Sequence, residues 1–533
     1  MIKEIYIENY KIFRTFTTQF NSSLNILVGD NEAGKSTILE AINLVLTRRL
    51  NGRFLEYELN PHIFNKNTTQ EYIQALIDNT NPIPPKIIID LFLEDNDLTK
   101  DFRGSNNYRK EDAVGIRLEI IFDDNYAQEY SKFIEDKIQI RAIPTEYYRI
   151  EWISFSGNSI TARSIPLLVS FIDATTIKLQ NGADYYLQNI INNGLDIKER
   201  VGLSILYRSL KEKFTSEESI KTINDKLSQD KGIISNKNLT VSIDISQKAN
   251  WETNLVPHLD EIPFTQIGKG EQNAMKIMLA LSHKADNAST VLIEEPENHL
   301  SFTSMNILVS KIKNKCTDKQ IFITTHSAYV LNKLGIENVI FISNQKTTSL
   351  NQLTQDTYDY FRKLSGYDTL RLILAKKTIL VEGPSDELIV NRAYFLAKGK
   401  LPIEDGIDVI NVRGLSFARF LDIAKILGNN VSVVTDNDGD YDKKVVTKYQ
   451  PYSQCSNINI YSSNNNGLYT MECHIVELNT LETLNSTFNK AFTCKDDLLK
   501  DMIDNKTEYA LMIFDTTNSI NLPDYINNAV NQE

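Results

Sequence analysis

Two groups of residues in this chain have the types and spacing of phosphate chemistry. The first is Gly29-Asp30-Asn31-Glu32-Ala33-Gly34-Lys35-Ser36, set between the apolar run Leu24-Asn25-Ile26-Leu27-Val28 and an expected helix from Thr37 to Leu46. It fits G-x-x-x-x-G-K-[ST] in the strand-loop-helix setting that a phosphate-binding loop requires. Glycines let backbone N–H groups face phosphate oxygens, Lys35 reaches the β- and γ-phosphates, and the Ser36 hydroxyl completes a Mg²⁺ shell. Gly29, Asn31, Gly34, Lys35, Ser36 and Thr37 are therefore the expected binding residues for ATP. The plain alternative is a surface turn with a chance lysine, and the strand and helix on either side argue against it.

The second group is acidic. Val381-Glu382-Gly383-Pro384-Ser385-Asp386 puts two acids four residues apart at a strand-to-helix turn, and Val433-Val434-Thr435 runs into Asp436-Asn437-Asp438-Gly439-Asp440. Alternate residues at a strand end point the same way, so Asp436 and Asp438 can share one cation. Parallel strands deliver their C-terminal ends to one sheet edge. Acids gathered there repel one another unless a metal neutralises them. Taken singly, D-x-D-G is also a calcium-like loop or an acidic turn, and E-G a plain turn.

Between the two groups lie three shorter motifs. Val291-Leu292-Ile293 ends in Glu294-Glu295-Pro296-Glu297, where one carboxylate can hold the Mg²⁺ shell and the next can orient or deprotonate the attacking water. Thr324-Thr325-His326-Ser327 follows another apolar strand, a setting that suits a histidine sensing the γ-phosphate. Gly268-Lys269-Gly270-Glu271-Gln272 precedes an expected helix from Asn273 to Lys284, whose N-terminus can face a phosphate. Alone, each is an ordinary strand end, loop histidine or turn. Their order after a phosphate loop is what gives them meaning.

The elements that must position these residues read as α/β. Residues 2–28 alternate like two strands, and Lys86 to Leu93, Arg117 to Phe122 and Tyr148 to Phe155 continue the β pattern. From about Asp184 to Asp230, Ile and Leu recur at helical spacing among Lys and Glu, so this stretch reads as an insertion. Strand and helix alternate after Val291 and again from Lys377, which implies a mainly parallel sheet. The expected division is an ATPase part at 1–165, a helical insertion for dimerisation at 166–250, a second ATPase part at 251–370 and a C-terminal domain at 371–533.

A length of 533 residues suggests about three units. The net charge of −12 argues against indiscriminate coating of nucleic acid, but a local cationic stripe would suffice for contact. Cys316, Cys455, Cys473 and Cys494 show no C-x-x-C spacing and the six histidines form no pair, so carboxylate-held Mg²⁺ or Mn²⁺ is expected over zinc. Met1 to Ile5 reads as amphipathic strand rather than a signal peptide, and no apolar run approaches about 18 residues. A cytoplasmic protein with no membrane partner is expected.

In order, Ile7-Glu8-Asn9-Tyr10-Lys11-Ile12-Phe13, the phosphate loop, the segment Gly268 to Gln272, Ile293 to Leu300 and Thr324 to Ser327 resemble the ABC-type ATPases of the recombination and chromosome-maintenance group. The Glu-Gly strand end, helical crossover and D-x-D strand end resemble a Toprim domain. That fusion resembles the overcoming-lysogenization-defect (OLD) nucleases. The resemblance implies an ABC-type ATPase domain with a helical insertion, followed by a Rossmann-like Toprim domain.

It also implies a head-to-tail ATP sandwich in which one subunit's Gly268, Lys269, Gly270 and Glu271 cap the other's nucleotide. Glu294 then takes the metal role, Glu295 the catalytic base and His326 the switch. In the Toprim part it implies that Glu382, Asp436 and Asp438 hold one metal, Asp386 and Glu482 a second, and that Lys506 stabilises the pentavalent phosphate. Glu472, Glu477, Lys495 and Lys500 are nearby alternatives to the last two. The chain departs from the pattern at Gly268-Lys269, where a serine is usual, and at Ser301-Phe302, where relatives read His-Pro.

The implied activity is metal-dependent nicking or cutting of DNA by an ATP-binding homodimer or higher oligomer, in bacterial anti-phage defence. A helicase, a retron reverse transcriptase with its DNA, or no accessory partner is left open. A topoisomerase would need a covalent tyrosine and a primase a template-binding module. An ATP-switched DNA clamp with a non-cleaving Toprim part is the rival of another class. The intact acidic motifs argue against it, as does a helical stretch too short and irregular for a long coiled coil.

Overall fold

The alternation at the N-terminus becomes an antiparallel sheet. Strand β1 (Ile2–Tyr10) pairs with β2 (Phe13–Gln19) and buries Ile5, Ile7 and Tyr10, while β3 (Leu24–Gly29) is buried throughout. The computed structural model describes residues 1–80, 82–134, 140–173, 179–180, 183–184, 195–228, 240–242, 251, 257–282, 289–315, 319–363, 369–375, 377–414 and 416–532. The chain divides into two units, residues 1–26 with 34–325 and residues 27–33 with 326–533.

In the first unit, helix α1 (Lys35–Thr47) follows the phosphate loop. Strands β4 (Ile87–Leu93), β5 (Ala113–Phe122) and β6 (Tyr148–Ser154) complete the antiparallel sheet in the order β2-β1-β4-β5, with β6 and a short strand at Arg103–Gly104 also paired to β5. A second group of strands, β7 (Leu168–Asp173), β8 (Ser289–Glu294) and β9 (Lys319–Thr324), is parallel. Its register aligns Asp173, Glu294 and Thr324 at one edge. Helix α1 packs against β4 and β5 and also against β7, β8 and β9, so two sheets hold the helix that carries Lys35. Trp152 on β6 donates to the Val45 carbonyl at 2.8 Å and pins the helix's far end.

Strand β7 lies inside the 166–250 stretch and pairs with β8, so the start of that stretch belongs to a sheet. Helix α2 (Ile197–Ser216) begins at a capping box, in which the Asp196 carboxylate accepts from Glu199 N and the Glu199 carboxylate from Asp196 N, both at 2.8 Å. Helix α3 (Glu218–Ser228) follows. Residues 185–194 of the expected helical stretch lie outside the described residues. Helix α4 (Lys269–Ser282) starts earlier than the expected Asn273, so Lys269, Gly270 and Glu271 form its first turn rather than a preceding loop.

In the second unit, β10 (Val339–Ser343) and β11 (Lys346–Ser349) form a hairpin. Strands β12 (Lys377–Val381), β13 (Ile407–Asn411), β14 (Asn430–Val434) and β15 (Ile458–Tyr461) form a parallel sheet in the order β13-β12-β14-β15. The chain runs from β12 outward to β13 and returns on the other side to β14. The topological switch point therefore lies between β12 and β14, where open parallel sheets bind ligands beyond their C-terminal ends. Helix α5 (Pro384–Lys398) follows β12. Helices α6 (Met471–Leu478), α7 (Leu481–Phe488), α8 (Lys506–Asp515) and α9 (Asp524–Asn531) follow the sheet, with α8 and α9 packed on α5. Among the described residues no helix is long and apolar enough to cross a membrane.

One buried ion pair holds the antiparallel sheet. Asp90, fully buried on β4, accepts from Arg117 Nε and Nη2 on β5 at 2.7 Å each and from Tyr108 N at 2.7 Å. Removing one partner strands the other in the interior. Asp90→Ala should destabilise the protein by about 3–5 kcal/mol, whereas Arg14→Ala, which breaks an exposed pair with Glu71, should cost ~1 kcal/mol or less. Urea unfolding of the two variants checks this; equal midpoints would refute it.

Candidate active site

Lys35 opens α1 and is buried, while Ser36 beside it is exposed. Gly34 caps the helix at φ 97°, and a Cβ there would meet the Phe13 ring at 2.3 Å, so only glycine fits this turn. Gly34, Lys35, Ser36 and Thr37 belong to the first unit; Gly29 and Asn31, at the start of the loop, belong to the second. The strands that end at Glu294 and Thr324 lie under α1.

Glu295 leaves the end of β8 in the left-handed region at φ 46°, uncommon for a residue with a side chain. Its N–H donates to Thr324 O at 3.0 Å, and its Oε2 accepts from Asn298 Nδ2 at 2.6 Å. Asn273 on α4 donates to the Pro296 and Asn298 carbonyls at 3.3 Å each. Gly270 comes so close to this turn that a Cβ would sit 2.1 Å from His299 O. The helix that opens with Gly268 to Glu271 is thus tied to the turn that orients Glu295. Gly268, Lys269 and Glu271 are exposed. His326, in the second unit, is also exposed, just before a short helix capped by Ser327.

The acids of the second unit lie within electrostatic reach of one another beyond the C-terminal ends of the parallel sheet. Glu382 follows β12, and its Oε1 accepts from Thr435 Oγ1 at 2.6 Å. Asp386, in the first turn of α5, accepts from Gly383 N at 3.0 Å, which closes the helix N-terminus. Asp436 follows β14 and accepts from the Tyr525 hydroxyl at 3.1 Å. Burial, then the charges of Glu382 and Glu472, pushes the Asp386 carboxyl up to about 7 against the Gly383 N–H and Lys506. Burial, then Asp386, Glu382 and Glu472, pushes Asp436 up to about 8. Burial works against the charge of Lys506, but Glu472, Asp436 and Asp386 outweigh it and raise its pKa.

Two expected residues stand elsewhere. Glu482 is exposed in the first turn of α7, and the acid brought to Lys506 is Glu472, buried on α6, at 3.3 Å. On α6 Glu472 is buried among Met471, Cys473, Ile475 and Val476, whereas Glu477 on the same helix is exposed. Strand β14 ends at Val434, so alternation does not carry as far as Asp438. That residue turns at φ 47°, is exposed, and pairs with Lys444 at 3.2 Å. Tyr525 was not anticipated at all.

Among the described residues no three His, Cys, Asp or Glu side chains stand at a spacing that could hold a metal ion. The donor chemistry nonetheless suits a hard divalent cation: every candidate ligand is a carboxylate oxygen, and Glu472 Oε2 is buried without a hydrogen bond beyond its ion pair. The acids repel across the gap that a cation would close.

Residues 1–331 match the family described as AAA ATPase domain. The chain belongs to that family. Residues 373–438 match the overcoming lysogenization defect protein-like TOPRIM domain, so the chain joins this ATPase domain to an OLD-like Toprim module, the composition of an ATP-dependent endonuclease. That second match includes Glu382, Asp386, Asp436 and Asp438; Glu472, Lys506 and Tyr525 lie beyond it. The chain is 20% identical over 491 residues to Endonuclease GajA of Bacillus cereus (strain VD045), covering 85% of this chain and 78% of that one. It is 24% identical over 344 residues to an ATP/GTP phosphatase of Helicobacter pylori (strain ATCC 700392 / 26695), covering 61% and 85%. A solved structure of the recombination mediator protein RecF aligns over 66% of this chain and 98% of its own at 14% identity and a TM-score of 0.35.

The acids also predict a pH signature. Asp386 and Asp436 have folded pKa values above the ordinary carboxylate value of about 4. Their contribution to stability is therefore fully present below about pH 4 and lost as pH rises through 7 and 8. In EDTA the melting temperature should fall across this window. Mn²⁺ should raise it more at pH 8 than at pH 6, because the cation binds the deprotonated acids. An equal or absent Mn²⁺ shift at the two pH values would contradict the cluster as a cation site.

Proposed function

We propose that this chain is an ATP-dependent, divalent-metal endonuclease that nicks or cuts DNA as a homodimer or larger oligomer in the cytoplasm. The observation that carries the reading is the Lys506–Glu472 pair at 3.3 Å, within electrostatic reach of Asp386 and Asp436 beyond the strand ends of a parallel sheet, with Glu382 beside them. The likeness to an endonuclease over most of both chains supports it. The anti-phage role rests on the OLD resemblance alone.

Glu382, Asp386, Asp436 and Glu472 would hold Mg²⁺ or Mn²⁺, with Asp438 joining them if Lys444 releases it. Bound there, divalent cations would activate water and stabilise the leaving oxygen. Lys506 lies beside the acids and can place its charge on a non-bridging phosphate oxygen, a contact that strengthens as negative charge develops. In the ATPase part, Lys35 and Ser36 would bind the phosphates and Mg²⁺. Glu294 would complete the metal shell, and Glu295, oriented by Asn298, would act on the attacking water. His326 would sense the γ-phosphate.

Two features support a second copy of the chain as partner. Gly268, Lys269 and Glu271 are exposed at a helix start, available to another subunit's nucleotide. Helix α2 exposes Val201, Ile205, Leu206, Leu210 and Phe214, a run of apolar side chains that suits packing. If α2 is the main interface, light scattering at micromolar protein should give a dimer without nucleotide. If the ATP sandwich is, only a slowly hydrolysed analogue should produce one. A monomer under both conditions would contradict the proposal.

The nuclease reading itself is tested on plasmid DNA. Glu382→Ala and Glu472→Ala should each abolish Mn²⁺-dependent cleavage and leave ATP hydrolysis intact. Glu295→Gln should bind ATP but hydrolyse it at least ~100-fold more slowly, the amide being unable to act as base. Full cleavage by either alanine variant would refute the acidic cluster as the nuclease centre, and no cleavage by the wild type in Mn²⁺ would leave a DNA clamp as the better reading.

A further inference from the structure

The C-terminal helix reaches the nuclease site through one aromatic residue. Tyr525, in the first turn of α9, is 7% exposed, and its hydroxyl donates to Asp436 Oδ1 at 3.1 Å. Its ring lies edge-on to His474, with centroids 5.5 Å apart. His474 stands two residues after Glu472 on α6, and its Nε2 is buried without a hydrogen bond. Helix α9 also packs on α5, which carries Asp386, and on β14, which leads into Asp436. One helix thus touches the elements that deliver three of the acids, and its only hydroxyl donor at the site points at Asp436.

We infer that Tyr525 is a positioning residue of the nuclease site, holding Asp436 so that its second oxygen meets the cation; the inference rests on the nuclease reading above. The physical reason lies in the crowding of charge. Asp436 is half-buried near Asp386, Glu382 and Glu472, and a carboxylate free to rotate there turns away from its neighbours. A hydroxyl donor on Oδ1 fixes the plane of the group and partly offsets its charge, as partners of metal ligands commonly do. The Tyr525 hydroxyl is engaged as a donor to Asp436, which is a positioning role and not that of a nucleophile. The residue's place on α9 also makes that helix part of the nuclease site.

Tyr525→Phe in the full chain removes the hydroxyl and keeps the ring against His474. The Mn²⁺ concentration for half-maximal thermal stabilisation, and that for half-maximal plasmid cleavage, should both rise ~10-fold. Cleavage at saturating Mn²⁺ and ATP hydrolysis should stay near wild type. The melting temperature in EDTA reports whether the variant is folded. In an Asp436→Asn background, Tyr525→Phe should leave the remaining Mn²⁺ response unchanged. An unaltered Mn²⁺ half-saturation in Tyr525→Phe would overturn the inference while leaving the nuclease reading standing. So would a loss of saturated cleavage with unaltered Mn²⁺ response, or a full additional effect in the Asp436→Asn background. A wild-type protein with no response to Mn²⁺ would overturn both.

Discussion

The second unit depends on a repulsion that the fold creates and does not itself cancel. A parallel sheet brings its strand ends to one edge, and this chain places Glu382, Asp386 and Asp436 there, with Glu472 packed in from a helix. Burial penalises each charge and proximity penalises them together. The protein answers with one donor per acid: Thr435 to Glu382, Gly383 N–H to Asp386, Tyr525 to Asp436 and Lys506 beside Glu472. These donors orient the acids without neutralising them all. A site left short of positive charge in this way is disposed toward cations, and that disposition is the basis of the proposed chemistry.

The first unit solves a different problem, which is to hold one helix start rigidly. Lys35 sits at the first turn of α1, and α1 is gripped by strands from two sheets. The antiparallel sheet closes over a buried Asp90–Arg117 pair, and the parallel strands align Glu294 and Thr324 in register. A lysine placed by such packing can meet a phosphate without first ordering itself. Of the sixteen described non-glycine residues with positive φ, four stand at the motifs: Glu32 in the phosphate loop, Glu295 at the expected base, His299 after it and Asp438 in the D-x-D turn.

The turn Pro296 to His299 links two motifs that are far apart in the chain. Asn273 on α4 donates to its carbonyls, Gly270 lets the helix approach His299 O, and Asn298 within it holds the Glu295 carboxylate. The exposed start of α4 and the residue expected to act on water are therefore joined through one turn.

The sequence by itself determined what depends on neighbours along the chain. The phosphate loop needed only its glycines, its lysine and a strand before it, and the strands at 377–381 and 430–434 were legible as apolar runs ending in acids. The α/β class followed from the alternation of such runs with helices. What distant segments bring together was not legible. Glu472 lies 90 residues after Glu382, and only the tertiary placement of α6 brings it, rather than Glu482, to Lys506. Asp438 was expected to share the face of Asp436, but the strand stops at Val434 and a left-handed turn sends it to Lys444. Tyr525 carried no local signal, since one tyrosine among 24 looks like any other until a helix docks. Short-range patterns record backbone conformation, which each residue and its neighbours largely set; which acid meets which cation site is set by the burial of whole helices, and that is decided only in three dimensions.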